Sequence, residues 1–317
     1  MPIHKGHLAL TDFALNYCDK LIVWVCCTEI EPIPGHVRFN WVKSIFENQQ
    51  SIEPIYFEYS ESELPNTSVS SKEVSKQWAD AIEKYLPKID VIFTSEPYGE
   101  YVAGFLGIEY IFFDCSKQQV PISASEIREN PSKHWEFLPM VVRPYFVKKI
   151  CIVGTESTGK TSMANDLALW LKTVVVTEAA RGIVDVTEQC TFNDLFAIAE
   201  AHATAIVNAL KEADKFLIID TDINITKSYG RFLFGRELLV DDWIEEANKS
   251  DLYLFLENDA PYVQDGTRLP KQERDALNEF HKAEFRNKGI NYRCIAGTDW
   301  GERLEAAKEI IIKEFGL

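Results

Sequence analysis

Short apolar runs alternate with longer segments whose apolar residues recur at helical spacing, and the alternation passes along the chain twice. In the first half, Leu21–Cys27, Pro54–Tyr59, Val91–Thr94 and Glu109–Phe113 predict strands, while Arg38–Gln49, Ser70–Leu86, Tyr98–Leu106 and Ser123–Glu129 predict helices. The pattern restarts at Val147. Strands are expected at Lys149–Val153, Thr173–Thr177, Phe216–Asp220, Leu252–Leu256 and Tyr292–Ile295. Helices are expected at Lys160–Leu171, Phe192–Ala213, Val240–Asn248, Lys271–Arg286 and Glu302–Phe315. Strand and helix in alternation predict parallel sheets with helices on both faces. The chain therefore reads as α/β, with two doubly wound parallel-sheet domains spanning 1–143 and 146–317. The junction is Arg143-Pro144-Tyr145-Phe146, where proline breaks the preceding pattern. No internal repeat or low-complexity tract interrupts either half.

One loop in the second half carries chemistry. Gly154-Thr155-Glu156-Ser157-Thr158-Gly159-Lys160-Thr161 matches G-x-x-x-x-G-K-[ST] at every fixed position. It follows the strand ending at Val153 and precedes the helix beginning at Lys160. Gly154, Ser157 and Gly159 let the backbone turn its N–H groups onto phosphate oxygens, with Ser162 in the first helical turn beside them. Lys160 reaches the terminal phosphates and the Thr161 hydroxyl can ligate Mg²⁺. The loop implies a nucleoside triphosphate and leaves the reaction open.

Phosphoryl transfer also needs a carboxylate for the Mg²⁺ shell, a base and mobile cations. Asp220 ends the apolar strand Phe216–Asp220 and suits the metal shell, whereas Asp222 suits the cap of a following helix. Glu178 ends the strand after the loop helix, on the sheet edge where ligands bind. It reads either as the base for an acceptor hydroxyl or as a charge favoured at a helix N-terminus. Arg181, one turn on, can hold substrate or phosphate. Gln264-Asp265-Gly266-Thr267-Arg268 lies between a strand and a helix; Arg268 reads as a lid cation closing over ATP, or as a solvated surface arginine. Ala296-Gly297-Thr298 is a weaker candidate for wrapping adenine.

Composition narrows the setting. Hydrophobic residues are 46% and charged residues 26% of the 317, as in a soluble globular enzyme. The formal charge of -16 opposes nucleic-acid and anionic-membrane binding, and Lys148-Lys149 is a pair rather than a basic stripe. Seven cysteines without metal-ligand spacing read as buried reduced thiols in a reducing compartment, so a cytoplasmic location is expected. No apolar stretch reaches bilayer-spanning length.

The first half has its own constellation. His4-Lys5-Gly6-His7 is H-x-G-H, two histidines able to converge on one phosphate with hydrogen bonds or positive charge. Ile122-Ser123-Ala124-Ser125-Glu126-Ile127-Arg128 reads I-S-x-S-x-I-R, with Ser123 and Ser125 at a helix start and Arg128 adding charge. Arg38-Phe39-Asn40-Trp41 adds an R-x-x-W helix. Together these resemble the nucleotidyltransferase superfamily. Followed by a phosphate-loop kinase half, the order resembles the bifunctional nicotinamide-nucleotide adenylyltransferase/ribosylnicotinamide kinase family, the NadR type. Supporting phrases are Phe93-Thr94-Ser95-Glu96-Pro97, Arg128-Glu129-Asn130-Pro131 with Trp135-Glu136-Phe137-Leu138-Pro139, and Leu256-Glu257-Asn258-Asp259. The resemblance spans essentially the whole chain. It implies a Rossmann-like nucleotidyltransferase domain followed by a P-loop kinase domain. It implies ATP, Mg²⁺, nicotinamide riboside, NMN and NAD as ligands, and leaves homo-oligomerisation open.

The resemblance departs at one place. That family sets an apolar strand and a G-x-F-x-P run before H-x-G-H, whereas here Met1 stands three residues before His4. The missing strand would lie at the sheet centre, buried on both faces. The expectation is a start placed too far downstream or a deficient adenylyltransferase half. Some members add an N-terminal helix-turn-helix and act as repressors; this sequence shows none, and that role is not carried over. Two other readings remain: a kinase for another nucleoside beside a vestigial first domain, and a nucleotide-sensing regulator. Intact Lys160, Thr161 and Asp220 count against the second.

Overall fold

The structure is a computed structural model that describes residues 1–65, 71–114, 116–183, 190–260, 262 and 269–317. The chain forms two compact units, Met1–Tyr145 and Phe146–Leu317.

In the first unit the order is α1 (Lys5–Ala14), β1 (Leu21–Cys27), α2 (Gly35–Phe46), β2 (Ile52–Glu58), α3 (Lys72–Tyr85), β3 (Val91–Thr94), α4 (Tyr98–Leu106), β4 (Glu109–Phe112) and α5 (Ala124–Glu129). β1 pairs with β2 in parallel and β3 with β4 in parallel, in two separate two-stranded sheets. Among the described residues no ladder joins the two pairs. β1 and β3 are only half-buried along most of their length. Helix α1 was not expected. Its cap explains it: His4 accepts the Gly6 N–H on Nδ1 at 3.1 Å, and His7 Nδ1 accepts the His4 N–H at 3.3 Å. The two histidines thereby cap and start the helix.

The second unit is a parallel sheet covered on both faces. Its order is β5 (Lys148–Val153), α6 (Lys160–Leu171), β6 (Val175–Val176), α7 (Phe192–Ala209), β7 (Phe216–Asp220), α8 (Ile223–Phe234), α9 (Asp242–Asn248), β8 (Leu252–Leu256), α10 (Lys271–Asn287), β9 (Arg293–Ile295) and α11 (Trp300–Phe315). The strands lie in the order β6-β7-β5-β8-β9. The inner strands β7 and β8 are buried at every residue, as near-continuous apolar runs inside a parallel sheet should be. Ile150, Ile152, Ile218, Leu254 and Leu256 pack against Met163, Ala164 and Leu167 of α6 and Ala307 and Ile311 of α11. A second apolar cluster joins α7, the start of α8 and α9 through Phe192, Leu195, Ala203, Ile223 and Ile244.

Among the described cysteines all are free. Burial raises the Cys26 thiol to about 12 and the Cys151 thiol well above its usual value. Only Cys27 and Cys151 of the described cysteines are buried, a correction to the expectation of buried thiols: Cys18, Cys26 and Cys190 are partly exposed, and Cys294, on the edge strand β9, is exposed.

Candidate active site

The phosphate loop hangs between the buried end of β5 and the first turn of α6. Gly154 has φ +144°, and a Cβ there would stand 2.6 Å from the Leu256 carbonyl oxygen. Gly159 has φ +89°, and a Cβ would stand 2.7 Å from the Trp300 ring. Only glycine fits either place, so the sequence spacing of the two glycines is a steric requirement of this turn. Ser157 also takes a left-handed backbone, φ +61°. The loop is braced from within, since the Thr158 hydroxyl donates to the Thr155 carbonyl at 2.8 Å and Lys160 Nζ to the same oxygen at 3.0 Å. Thr155 Oγ1 is buried and has no hydrogen-bond partner among the described residues. Ser162 is exposed on the first turn of α6.

Sheet register brings the acidic candidates to the same edge. Ile152 of β5 lies beside Asp220 of β7, and Val176 of β6 beside Ile219. The chain therefore leaves three adjacent strands toward the phosphate loop, Asp220 and Glu178, with neighbouring strands about 4.8 Å apart. Asp220 is fully buried and its Oδ2 accepts the Thr161 hydroxyl at 2.6 Å. Asp222 caps α8, accepting the Asn224 and Ile225 N–H groups at 3.0 and 3.1 Å. Glu178 is half-buried at the start of a 3-10 turn, Ala179–Gly182, and makes no cap bond there. Arg268, and the side chain of Arg181, lie outside the described residues.

An orphaned buried hydroxyl, glycines where a Cβ would collide, and a Thr161–Asp220 pair at the head of α6 fit a nucleotide phosphate with Mg²⁺. Thr161 and Asp220 would hold the metal, and Lys160 with the loop N–H groups the phosphates.

Several residues near this edge escaped the sequence reading. Tyr229 of α8 has its phenol held protonated by burial, then by the carboxylates of Glu156 and Glu178. Its ring meets His281 of α10 at 5.3 Å. His281 is buried, shares a 2.7 Å hydrogen bond with the Ser228 hydroxyl, and is driven down to about 3 by burial and by Lys160. His202 of α7 is also buried and pushed down by burial, opposed partly by Asn248, Asp220 and Glu178. None of these sits in a local motif; the one available signal was the Asp222 cap, which announced α8. The Ala296-Gly297-Thr298 loop is fixed differently, its Gly297 N–H donating to Asp259 Oδ2 at 2.6 Å, with Asp299 capping α11.

In the first unit, burial drives His4 down to about 4 and His7 well below the usual histidine value, with the N-terminal ammonium pushing both the same way. Burial thus favours the uncharged rings, and with them the hydrogen-bonding alternative of the two expected roles. Each Nδ1 accepts a backbone N–H, so the proton of each neutral ring sits on Nε2. Arg128 Nη2 donates to the Ser125 hydroxyl at 3.0 Å and Nη1 to the Met1 carbonyl at 2.8 Å, so I-S-x-S-x-I-R and the chain before H-x-G-H meet. Ser123 is engaged in a capping box with Glu126, whose N–H it accepts at 3.3 Å. Arg38 is buried and paired with Glu31, Nη1 to Oε1 at 2.8 Å, and Trp41 packs its ring on Tyr145.

A family model described as an AAA domain matches residues 149–303. The trifunctional NAD biosynthesis/regulator protein NadR of Escherichia coli (strain K12) is 30% identical over 297 residues, covering 84% of this chain and 69% of that protein. The chain belongs to the NadR family. The Salmonella typhimurium protein of the same description is 27% identical over 99% of this chain and 81% of its own length. Solved structures of NadR in complex with NR, and with NAD and AMP-PNP, match all of this chain at TM-scores of 0.79 and 0.78. At 19% and 18% identity they establish the shared two-domain fold. The protein is thus a NadR-like enzyme of NAD biosynthesis with a C-terminal P-loop kinase domain. Among the described residues no helix is long and apolar enough to cross a membrane.

Proposed function

We propose that the second unit transfers the γ-phosphoryl group of ATP to the ribose 5′-hydroxyl of nicotinamide riboside, forming NMN. The first unit joins NMN to the AMP part of a second ATP, forming NAD⁺ and pyrophosphate. The observation that carries the kinase reading is the 2.6 Å Thr161–Asp220 bond beneath a phosphate loop whose sheet edge also presents Glu178. The choice of riboside is supported by the relatives, whose names join NAD biosynthesis to NadR and one of which was solved with NR.

ATP supplies the transferable group, and Mg²⁺ neutralises its charge when bound. Gly154 and Gly159 hold the loop N–H groups toward phosphate, and Lys160 moves from the Thr155 carbonyl to the phosphoryl being transferred. Thr161 and Asp220 would hold the Mg²⁺ that accompanies the nucleotide. Glu178 takes the proton of the 5′-hydroxyl as its oxygen bonds to phosphorus and the bond from phosphorus to the departing ADP oxygen breaks. Tyr229, kept protonated by burial and by the carboxylates of Glu156 and Glu178, is available as a donor at that side of the site. In the first unit the His4 and His7 Nε2–H groups and Arg128 meet the ATP phosphates, with Ser125 held beside Arg128.

The test is a panel of ribosides assayed at equal concentration for ATP-dependent phosphorylation. Nicotinamide riboside is expected to give the highest kcat/KM. A purine or pyrimidine nucleoside exceeding it about tenfold would assign the kinase to another nucleoside.

A further inference from the structure

A carboxylate is an odd group to place in a loop built to receive phosphates, because its charge repels them. Glu156 occupies the third position of that loop, and its Oε1 accepts the backbone N–H of Leu269 at 3.0 Å, across 113 residues of sequence. Leu269 is buried and immediately precedes Pro270, the N-cap of α10. Its carbonyl is held as well, accepting the Tyr262 hydroxyl at 2.6 Å. The Tyr262 ring lies 5.0 Å from the guanidinium of Arg274, which is buried in the first turn of α10 and donates from Nη2 to the Asn258 carbonyl at 2.7 Å. Asn258 in turn donates to Asp275 Oδ1 at 2.7 Å. The start of α10 is therefore fastened at one end to the exit of β8 and at the other to the phosphate loop. Ten residues' travel along the same helix leads from this anchor region to His281, which bonds Ser228 and packs on Tyr229.

We propose that Glu156 is a positioning residue that ties the phosphate loop to the N-terminus of α10, so that nucleotide in the loop and the α10–α8 wall carrying His281 and Tyr229 are held in one mutual arrangement. The carboxylate does this through the Leu269 N–H. A charge-assisted bond of this kind is stronger than a neutral one and is shielded by the buried leucine. The helix N-terminus beside it further favours a negative group. The cost is some repulsion of the phosphates. The gain is that the acceptor side of the site is set when the donor side is. The kinetic consequence rests on the kinase reading above; the structural one does not.

The experiment compares Glu156→Ala, Glu156→Gln and Tyr262→Phe with the parent in the full chain. Amide hydrogen exchange over 269–275, with AMP-PNP and without riboside, reads the tie directly. Exchange at Leu269 is expected to rise about tenfold or more in Glu156→Ala, to stay within about threefold of the parent in Glu156→Gln, whose amide oxygen still accepts, and to rise partway in Tyr262→Phe. Riboside phosphorylation should follow the same order, with kcat falling in Glu156→Ala and rescued in Glu156→Gln. Equal behaviour of the alanine and glutamine variants, or unchanged exchange at Leu269 in Glu156→Ala, would overturn the tie and leave Glu156 as a local charge. If riboside is not phosphorylated at all, the kinase reading fails while the exchange result still decides the tie.

Discussion

Gly159→Ala isolates the steric requirement of the phosphate loop. Two effects act at this position. A non-glycine residue at φ +89° sits in the left-handed region, at a cost of about 1–2 kcal/mol. The new Cβ would also stand 2.7 Å from the Trp300 ring, closer than packing allows. The ring cannot easily withdraw, because its Nε1 donates to Asp166 Oδ2 at 3.2 Å and it begins α11. Overpacking of this kind costs about 1–3 kcal/mol, so the sum is about 2–5 kcal/mol. Gly297→Ala is the matched control: φ is +111° and nothing lies within 4 Å of the added Cβ, leaving the backbone cost alone. In a unit of this size each kcal/mol moves the melting midpoint by about 2–4 °C. Gly159→Ala should therefore lower the midpoint by about 4–20 °C and Gly297→Ala by about 2–8 °C. The assay is calorimetry of the full chain, with the second unit's transition identified as the one whose rise with AMP-PNP is lost in Lys160→Ala. Replacing Trp300 by Leu in the Gly159→Ala background should recover the overpacking part but not the backbone part. Midpoints for Gly159→Ala and Gly297→Ala that agree within about 1 °C would refute the close approach of ring and loop.

Glu178→Gln should lower kcat for riboside with little change in nucleotide affinity by titration calorimetry; an unchanged kcat with a raised KM for riboside would make Glu178 a binding residue. His281 is held down to about 3 against an ordinary 6.5, so the unfolded chain takes up a proton that the native one refuses. Its stability contribution is complete above about pH 6.5 and is lost as pH falls toward 3; urea midpoints measured between these limits should flatten in His281→Asn, and an identical slope would show that another group titrates. NAD⁺ formation from NMN and ATP is expected to be weak, because among the described residues no ladder joins the β1–β2 pair to the β3–β4 pair and the nearby His4–His7 segment needs placement within about 1 Å; a turnover comparable with riboside phosphorylation would show that two separate strand pairs still position both histidines.

The strongest sequence signals were those that depended on local spacing. α6, β7 and β8 have the bounds expected, because an uninterrupted apolar run between turn residues leaves little choice in a parallel sheet. β6 shrank to Val175–Val176, as only two residues find ladder partners on β7. α7 ends at Ala209 rather than Ala213, where the chain turns to enter β7. α8 was announced by its Asp222 cap but not delimited, since Ile223-Asn224-Ile225-Thr226 mixes β-branched and polar residues that favour other states locally. The Thr161–Asp220 meeting could be anticipated from two strand ends in one sheet. The Glu156–Leu269, His281–Ser228 and Tyr229–His281 contacts could not, because each joins elements whose packing no local pattern encodes.

Transfer of label from γ-phosphate-labelled ATP to nicotinamide riboside, followed in single turnover by the parent chain and by Lys160→Ala, bears most directly on the kinase. Labelled NMN should form with Mg²⁺ present, and Lys160→Ala should slow the step by about a hundredfold or more while the chain keeps its fold by circular dichroism. Absence of labelled NMN from the parent chain, or a Lys160→Ala rate within about tenfold of it, would contradict phosphoryl transfer at this loop.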